Sequence, residues 1–289
     1  MESITAILLA FASAAFLGSG VVITQFGLHH VHPLSGAAIS IPTFTIVFLL
    51  ASPILLHGEP IVWRAVPIFA AVGLVFPALL TLLTFASNRA LGPVATSALG
   101  NLSPLFAVAL AVVVLHEPLR PLQVVGLVVA IAGVLIITIT RTDTMRDWRT
   151  WALLLPLGAA LMRGVVPPVI KVGLQIWPSP VGASLTGYIF SSLTVLMVER
   201  IRNGSFVVKA SRAGRAWFAV IGLCNGLGTL LLYAALGSGP VTLVAPLVAT
   251  YPLITVGLSA AVLSDVKITA RLAGGTFFAV TGVVLILVG

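Results

Sequence analysis

The chain has 289 residues, of which 59% are hydrophobic and only 8% charged, with a mean hydropathy of +1.19. A soluble domain is about 25% charged, so water cannot solvate this surface, and a chain of this length has no core that could hide so much hydrocarbon. The net charge of +8 rests on 15 basic against 7 acidic residues; at such low charge density it speaks for membrane orientation rather than nucleic acid.

A helix needs about 20 apolar residues to cross a bilayer. Ten stretches qualify in chain order: Ile4–Leu28, Leu34–Leu56, Ala65–Ala86, Val94–Leu115, Leu122–Thr140, Trp151–Leu174, Val181–Val198, Trp217–Leu236, Val241–Leu263 and Leu272–Val288. The breaks between them are rich in Pro, Gly and His, as at His57–Gly58–Glu59–Pro60 and Gly237–Ser238–Gly239–Pro240. Proline removes a helix donor and glycine frees a turn. The longest connection, Glu199–Ala216, is too short for a folded domain. The first span has no positive residue before it and is span-length, which favours a retained helix over a cleaved signal peptide despite Ala12–Ser13–Ala14.

The chain resembles itself. Ala90–Leu91–Gly92–Pro93–Val94, Pro104, Glu117, Gly126 and Gly133–Val134 return as Leu236–Gly237–Ser238–Gly239–Pro240–Val241, Pro252, Asp265, Gly274 or Gly275 and Gly282–Val283. The offset drifts only from 147 to 149 residues, and Gly20–Val21–Val22 meets Gly164–Val165–Val166 at 144. Five crossings per half bring the second half in from the opposite side, an inverted repeat whose halves can exchange roles in alternating access.

A small-residue turn, a proline-broken helix, an acid at the helix end and a following Gly–Val span, seen twice, resemble the EamA-type transporters of the drug/metabolite transporter (DMT) superfamily. The resemblance covers nearly the whole chain. It implies an all-α integral membrane protein of ten transmembrane helices in two inverted five-helix repeats, residues 1–140 and 151–289, with a substrate cavity between them. Asp265 stands where that pattern commonly has Glu.

Candidate site residues follow from what is polar or broken at depth. Pro104 and Pro252 fall midway along corresponding spans and free the carbonyls of Gly100 and Val248. Such carbonyls are tolerated only when packed by protein or facing a water-filled cavity. The cavity is expected among the first, third, fourth, sixth, eighth and ninth spans, with Gln25, Asn101, Asn225 and Tyr251 as polar groups, though each taken alone is more often a satisfied interhelical hydrogen-bonder than a ligand contact. Arg163 lies twelve residues into the sixth span, about 18 Å along the helix and so near the middle of a core about 30 Å thick. A charge there costs at least about 2.5 kcal/mol. Pro167 and Pro168 follow as expected helix breaks, freeing the carbonyls of Arg163 and Gly164. Two readings stand: a strut held by released carbonyls and water, or the counter-charge of an anionic substrate group, which its planar fork suits.

The seven carboxylates and five histidines all fall at span ends or in connections, so no proton relay at depth is visible. His29, His30 and His32 in one turn, with no Cys or acid beside them, make a poor metal site. His116–Glu117 begins an HExxH-like string that Arg120 interrupts, and GxSxG is absent. Neither an enzyme nor a metal or other cofactor is expected. The expected partners are a small-molecule substrate and the lipid bilayer, with no nucleic acid and a homo-oligomer open. Alternating sides place Arg64, Arg120 and Lys171 on the face with the termini, and eleven basic residues (from Arg89 to Arg271) on the other. The positive-inside rule then puts both termini outside, whereas the resemblance favours termini inside. The plasma (inner) membrane of bacterial type is the expected location. The function expected is a permease or exporter of a small polar metabolite, such as an amino acid or another carboxylated compound. An exporter of drugs or organic cations and a non-transporting membrane scaffold are the alternatives.

Overall fold

A computed structural model describes residues 2–76, 80, 83, 87, 99–139, 153–262 and 270–289. The repeat landmarks at Ala90–Val94 and Asp265, the basic residues Arg89, Arg141, Arg146, Arg149 and Lys267, and most of the third span after residue 76 lie outside them. Among the described residues there is no strand. The first half contains α1 (Glu2–Leu28), α2 (Pro33–Leu55), α3 (Val66–Leu74), α4 (Ser103–Val114) and α5 (Pro121–Ile139). The second contains α6 (Leu154–Ile176), α7 (Pro180–Asn203), α8 (Arg212–Ser238), α9 (Val241–Val248), α10 (Tyr251–Val262) and α11 (Ala270–Val288).

Five helices (α1, α2, α6, α7 and α8) are each long and apolar enough to cross a membrane unaided. Hydropathy misplaces some ends because capping, not apolarity, sets where a helix stops. Helix α7 runs past the apolar stretch to Asn203, where Gly204 takes a left-handed φ of +70° and donates its N–H to Arg200 O. Helix α8 starts five residues early, at Arg212, because the Ser211 hydroxyl accepts the Gly214 N–H. The connection of 18 residues expected between these spans shrinks accordingly.

The compact units are not the two sequence halves. One unit comprises Met1–Leu79 with Val169–Gly239, and the other Leu80–Pro168 with Pro240–Gly289. Each draws on both halves, and each holds helices that are equivalents of one another across the repeat. In the first unit α2 packs on its equivalent α7. Ser35 Oγ donates to the Glu199 carboxylate at one end (3.1 and 3.2 Å), and Thr45 Oγ1 meets Ser192 Oγ at 2.7 Å in the middle. Ser179 Oγ donates to Glu59 Oε2 at the other end. The two helices are therefore antiparallel. Their ends are related by the repeat: an acid closing one helix meets a serine opening its equivalent, at both ends.

In the second unit α5 packs on its equivalent α11, and they too run antiparallel. A β-carbon on Gly126 would collide with Gly282 O, and one on Gly133 with the backbone of Ala279 and Gly275. The Arg120 guanidinium donates to Gly289 O at 2.6 Å, joining the start of α5 to the end of α11. Those glycines, repeat landmarks in the sequence, let two backbones touch where any side chain would hold them apart. Antiparallel equivalents in both units make this an inverted repeat.

Candidate functional site

The ninth span is not one helix. It breaks at Ala249–Thr250 into α9 and α10, and Pro252 falls in the first turn of α10. The fourth span breaks in the same way at Asn101–Leu102, with Pro104 in the first turn of α4. The turns match bond for bond. Leu102 N–H donates to Leu99 O and Leu105 N–H to Leu102 O; 148 residues later Thr250 N–H donates to Leu247 O and Leu253 N–H to Thr250 O. Proline is well suited to these positions, since the first turn of a helix has no use for its missing N–H. The interruptions near Pro104 and Pro252 thus fall two to three residues before each proline.

The two breaks border one cavity of about 20 Å3, counted as the space open to a water's centre, room for about one water. Asn101, Ser103 and Pro104 line it from the fourth span, and Pro246, Ala249, Thr250 and Tyr251 from the ninth. Arg163 enters from α6, and Leu127, Ala130, Ile131 and Val134 form an apolar wall from α5. All of these residues belong to the second unit. The Thr250 hydroxyl is spent locally, donating to Leu247 O at 2.6 Å.

Arg163 is half-buried, and its Nη1 lies 4.0 Å from where a β-carbon on Gly100 would sit. The next residue, Gly164, packs against Phe106 and the Ser103 and Ala107 backbone with no room for a side chain. That contact sets α6 hard against α4 and delivers the guanidinium to the break. Among the described residues no carboxylate pairs with it. Glu117 bonds to the N–H groups of Val241 and Thr242, Glu199 to Ser35 and Asn203, and Glu59 to Ser179. Contrary to the expectation of helix breaks, α6 continues through Pro167 and Pro168 to Ile176; the chain passes from the second unit to the first at Pro168–Val169.

The structure thus brings Arg163, Asn101 and Tyr251 together with Pro104. Gln25 and Asn225 do not join them. Gln25 is exposed near the end of α1, and the Asn225 side chain covers Gly20 where α8 meets α1, which is helix packing in the first unit. Among the described residues the first, third and eighth spans likewise contribute nothing to this cavity, whereas the fifth, not expected, supplies a wall. Sequence reasoning also missed Lys171, whose Nζ donates to Leu236 O (2.6 Å) and Gly239 O (2.9 Å) at the end of α8. Its one sequence signal was a lone cation near a span end. Among the described residues no group of His, Cys, Asp and Glu is placed to hold a metal.

A solved protein crystal structure superposes on the chain with a TM-score of 0.79 at 16% identity, covering 98% of this chain and 97% of its own; at that identity the likeness speaks for the fold. No curated protein matches by sequence. The model of the EamA-like transporter family matches twice, over residues 4–139 and 150–288, the same two halves that the landmarks and the antiparallel pairs define. The chain is a multi-pass membrane transporter and belongs to the EamA-like transporter family, within the DMT superfamily.

Proposed function

We propose that the protein is a permease for a small polar metabolite bearing a carboxylate or similar anionic group, an amino acid being one such compound, working by alternating access. The observation that carries this reading is Arg163, which no carboxylate among the described residues pairs, at the junction of two broken helices. A cation at that depth is retained against a cost of at least about 2.5 kcal/mol, and broken helices at mid-membrane are where transporters place their sites. Arg163 holds the anionic end of the substrate, Asn101 and Tyr251 supply neutral polar contacts, and the α5 wall takes an apolar part. An organic cation would meet Arg163 with no carboxylate among the described lining residues, so export of cationic drugs is the poorer reading. With room for about one water, the cavity must widen to admit a metabolite, as a moving transporter's site does.

The test is counterflow in liposomes across a panel of anionic, zwitterionic and cationic metabolites. Exchange of anionic or zwitterionic compounds is expected, with affinity lost in Arg163→Gln. Exchange restricted to cations, or an unchanged apparent affinity in that variant, removes the proposal.

A further inference from the structure

Glu117 stands apart from the cavity, yet it joins the two spans whose breaks form it. Its Oε1 accepts the Val241 N–H at 2.8 Å and its Oε2 the Thr242 N–H at 2.8 Å. Those are the first two amides of α9, donors that no residue of the helix can satisfy. A carboxylate there also meets the positive end of the helix dipole. The acid belongs to the fourth span and the amides to the ninth.

The backbone is bent to make this contact. His116, between α4 and Glu117, has φ +53°, the one described residue other than glycine with a positive value. Histidine tolerates that region better than most side chains, but it is uncommon. The Glu117 N–H returns to Ala111 O at 3.3 Å, folding the chain back over the end of α4.

Between this contact and the cavity lie α4 and α9, packed on one another. All eight residues of α9 are buried. The C-terminal end of α9 reaches the cavity through Pro246, Ala249 and Thr250, and the N-terminal end of α4 through Ser103 and Pro104. The half-helices therefore form a plug whose inner ends border the cavity and whose outer ends are tied by one carboxylate.

We propose that Glu117 is the latch of the gate closing this cavity toward the membrane face that carries residues 115–120 and 237–241, and that transport requires its two hydrogen bonds to part. The inference rests on the cavity being the transport path, as proposed above, but not on Arg163 binding the substrate. Glu117 is a positioning residue: it acts through α4 and α9 and touches no substrate.

The experiment uses the full-length protein in membrane vesicles of either orientation, with Cys224→Ala to remove the native thiol and Ala249→Cys as a reporter in the cavity. A membrane-impermeant maleimide added from the Glu117 face is expected to label the reporter about tenfold faster when Glu117→Ala is added, in line with the loss of charge-assisted hydrogen bonds. Labelling from the opposite face should not rise. Equal rates with and without Glu117→Ala in a folded protein overturn the latch. No substrate is present, so this outcome is separate from any result at Arg163.

Should Glu117→Ala fail to fold, Glu117→Cys paired with Val241→Cys in the Cys224→Ala background decides the matter. Oxidation is expected to cross-link the pair and stop counterflow, and reduction to restore it. Failure to cross-link, or undiminished counterflow once linked, overturns the proposal.

Discussion

Helix α6 carries two basic residues eight positions apart, and the structure treats them oppositely. Around Lys171 the ammonium is consumed by two main-chain carbonyls at the end of α8; it is a cap supplied by a neighbouring helix, of the kind favoured at helix C-termini. Around Arg163 no carboxylate answers the charge among the described residues, and the guanidinium opens on a cavity. Of the two readings the sequence allowed for Arg163, strut or counter-charge, the second is the one proposed above, and Lys171 is the cation that the backbone holds. A cation tied into the backbone stabilises the fold, whereas one left untied lowers stability and keeps an interaction in reserve for a ligand.

Substitutions can break that contrast, and the largest effect is expected at Arg163. Arg163→Gln should raise the half-saturation concentration for an anionic substrate by about ten- to a hundredfold, as the loss of charge-assisted hydrogen bonds predicts, while the amount of folded protein in the membrane stays the same. Equal apparent affinities in counterflow would erase the difference between the two sites.

Leucine at each position should then shift thermal stability in opposite directions. Arg163→Leu removes from the membrane interior a charge that no described carboxylate pairs, and should stabilise the detergent-solubilised protein by about 1–2 kcal/mol. Lys171→Leu leaves the Leu236 and Gly239 carbonyls without their donor and should destabilise it by a similar about 1–2 kcal/mol. Melting curves of the two variants give the signs directly, and shifts in the same direction would refute the contrast.

A smaller effect separates charge from shape. Arg163→Lys keeps the cation but loses the planar fork, so affinity for a carboxylate should fall about three- to tenfold; a value equal to wild type would reduce Arg163 to a point charge. Smallest of all is Thr250→Val. Its hydroxyl is already engaged by Leu247 O, so substrate affinity should change by less than about threefold, with a stability loss of about 0.5–1.5 kcal/mol.

The fold was legible because its signals are local or periodic. Span-length apolar runs mark the helices, and Gly126, Gly133 and Gly282 recur because equivalent backbones must touch. The site was legible in part. Arg163, Asn101 and Tyr251 stood out as polar groups at depth, and the prolines marked the breaks beside two of them. Gln25 and Asn225 satisfied the same criterion yet lie elsewhere, because depth along a helix says nothing about which way the residue faces. The paired Glu59–Ser179 and Glu199–Ser35 contacts escaped notice, since a single acid at a span end looks like any solvated charge until its partner from the other half is beside it.

By itself the sequence determined the solvent, the approximate helix count, the two-fold repeat and its inversion, for these follow from hydrocarbon content, bilayer thickness and an odd number of crossings per half. Only the tertiary structure decided that each compact unit takes helices from both halves, that the fifth span walls the cavity, and that Lys171 is tied to the backbone while Arg163 meets no carboxylate among the described residues. Those outcomes depend on which helix faces meet. Helix packing in a membrane turns on close fit and a few hydrogen bonds between residues far apart in the chain, and neither leaves a local trace.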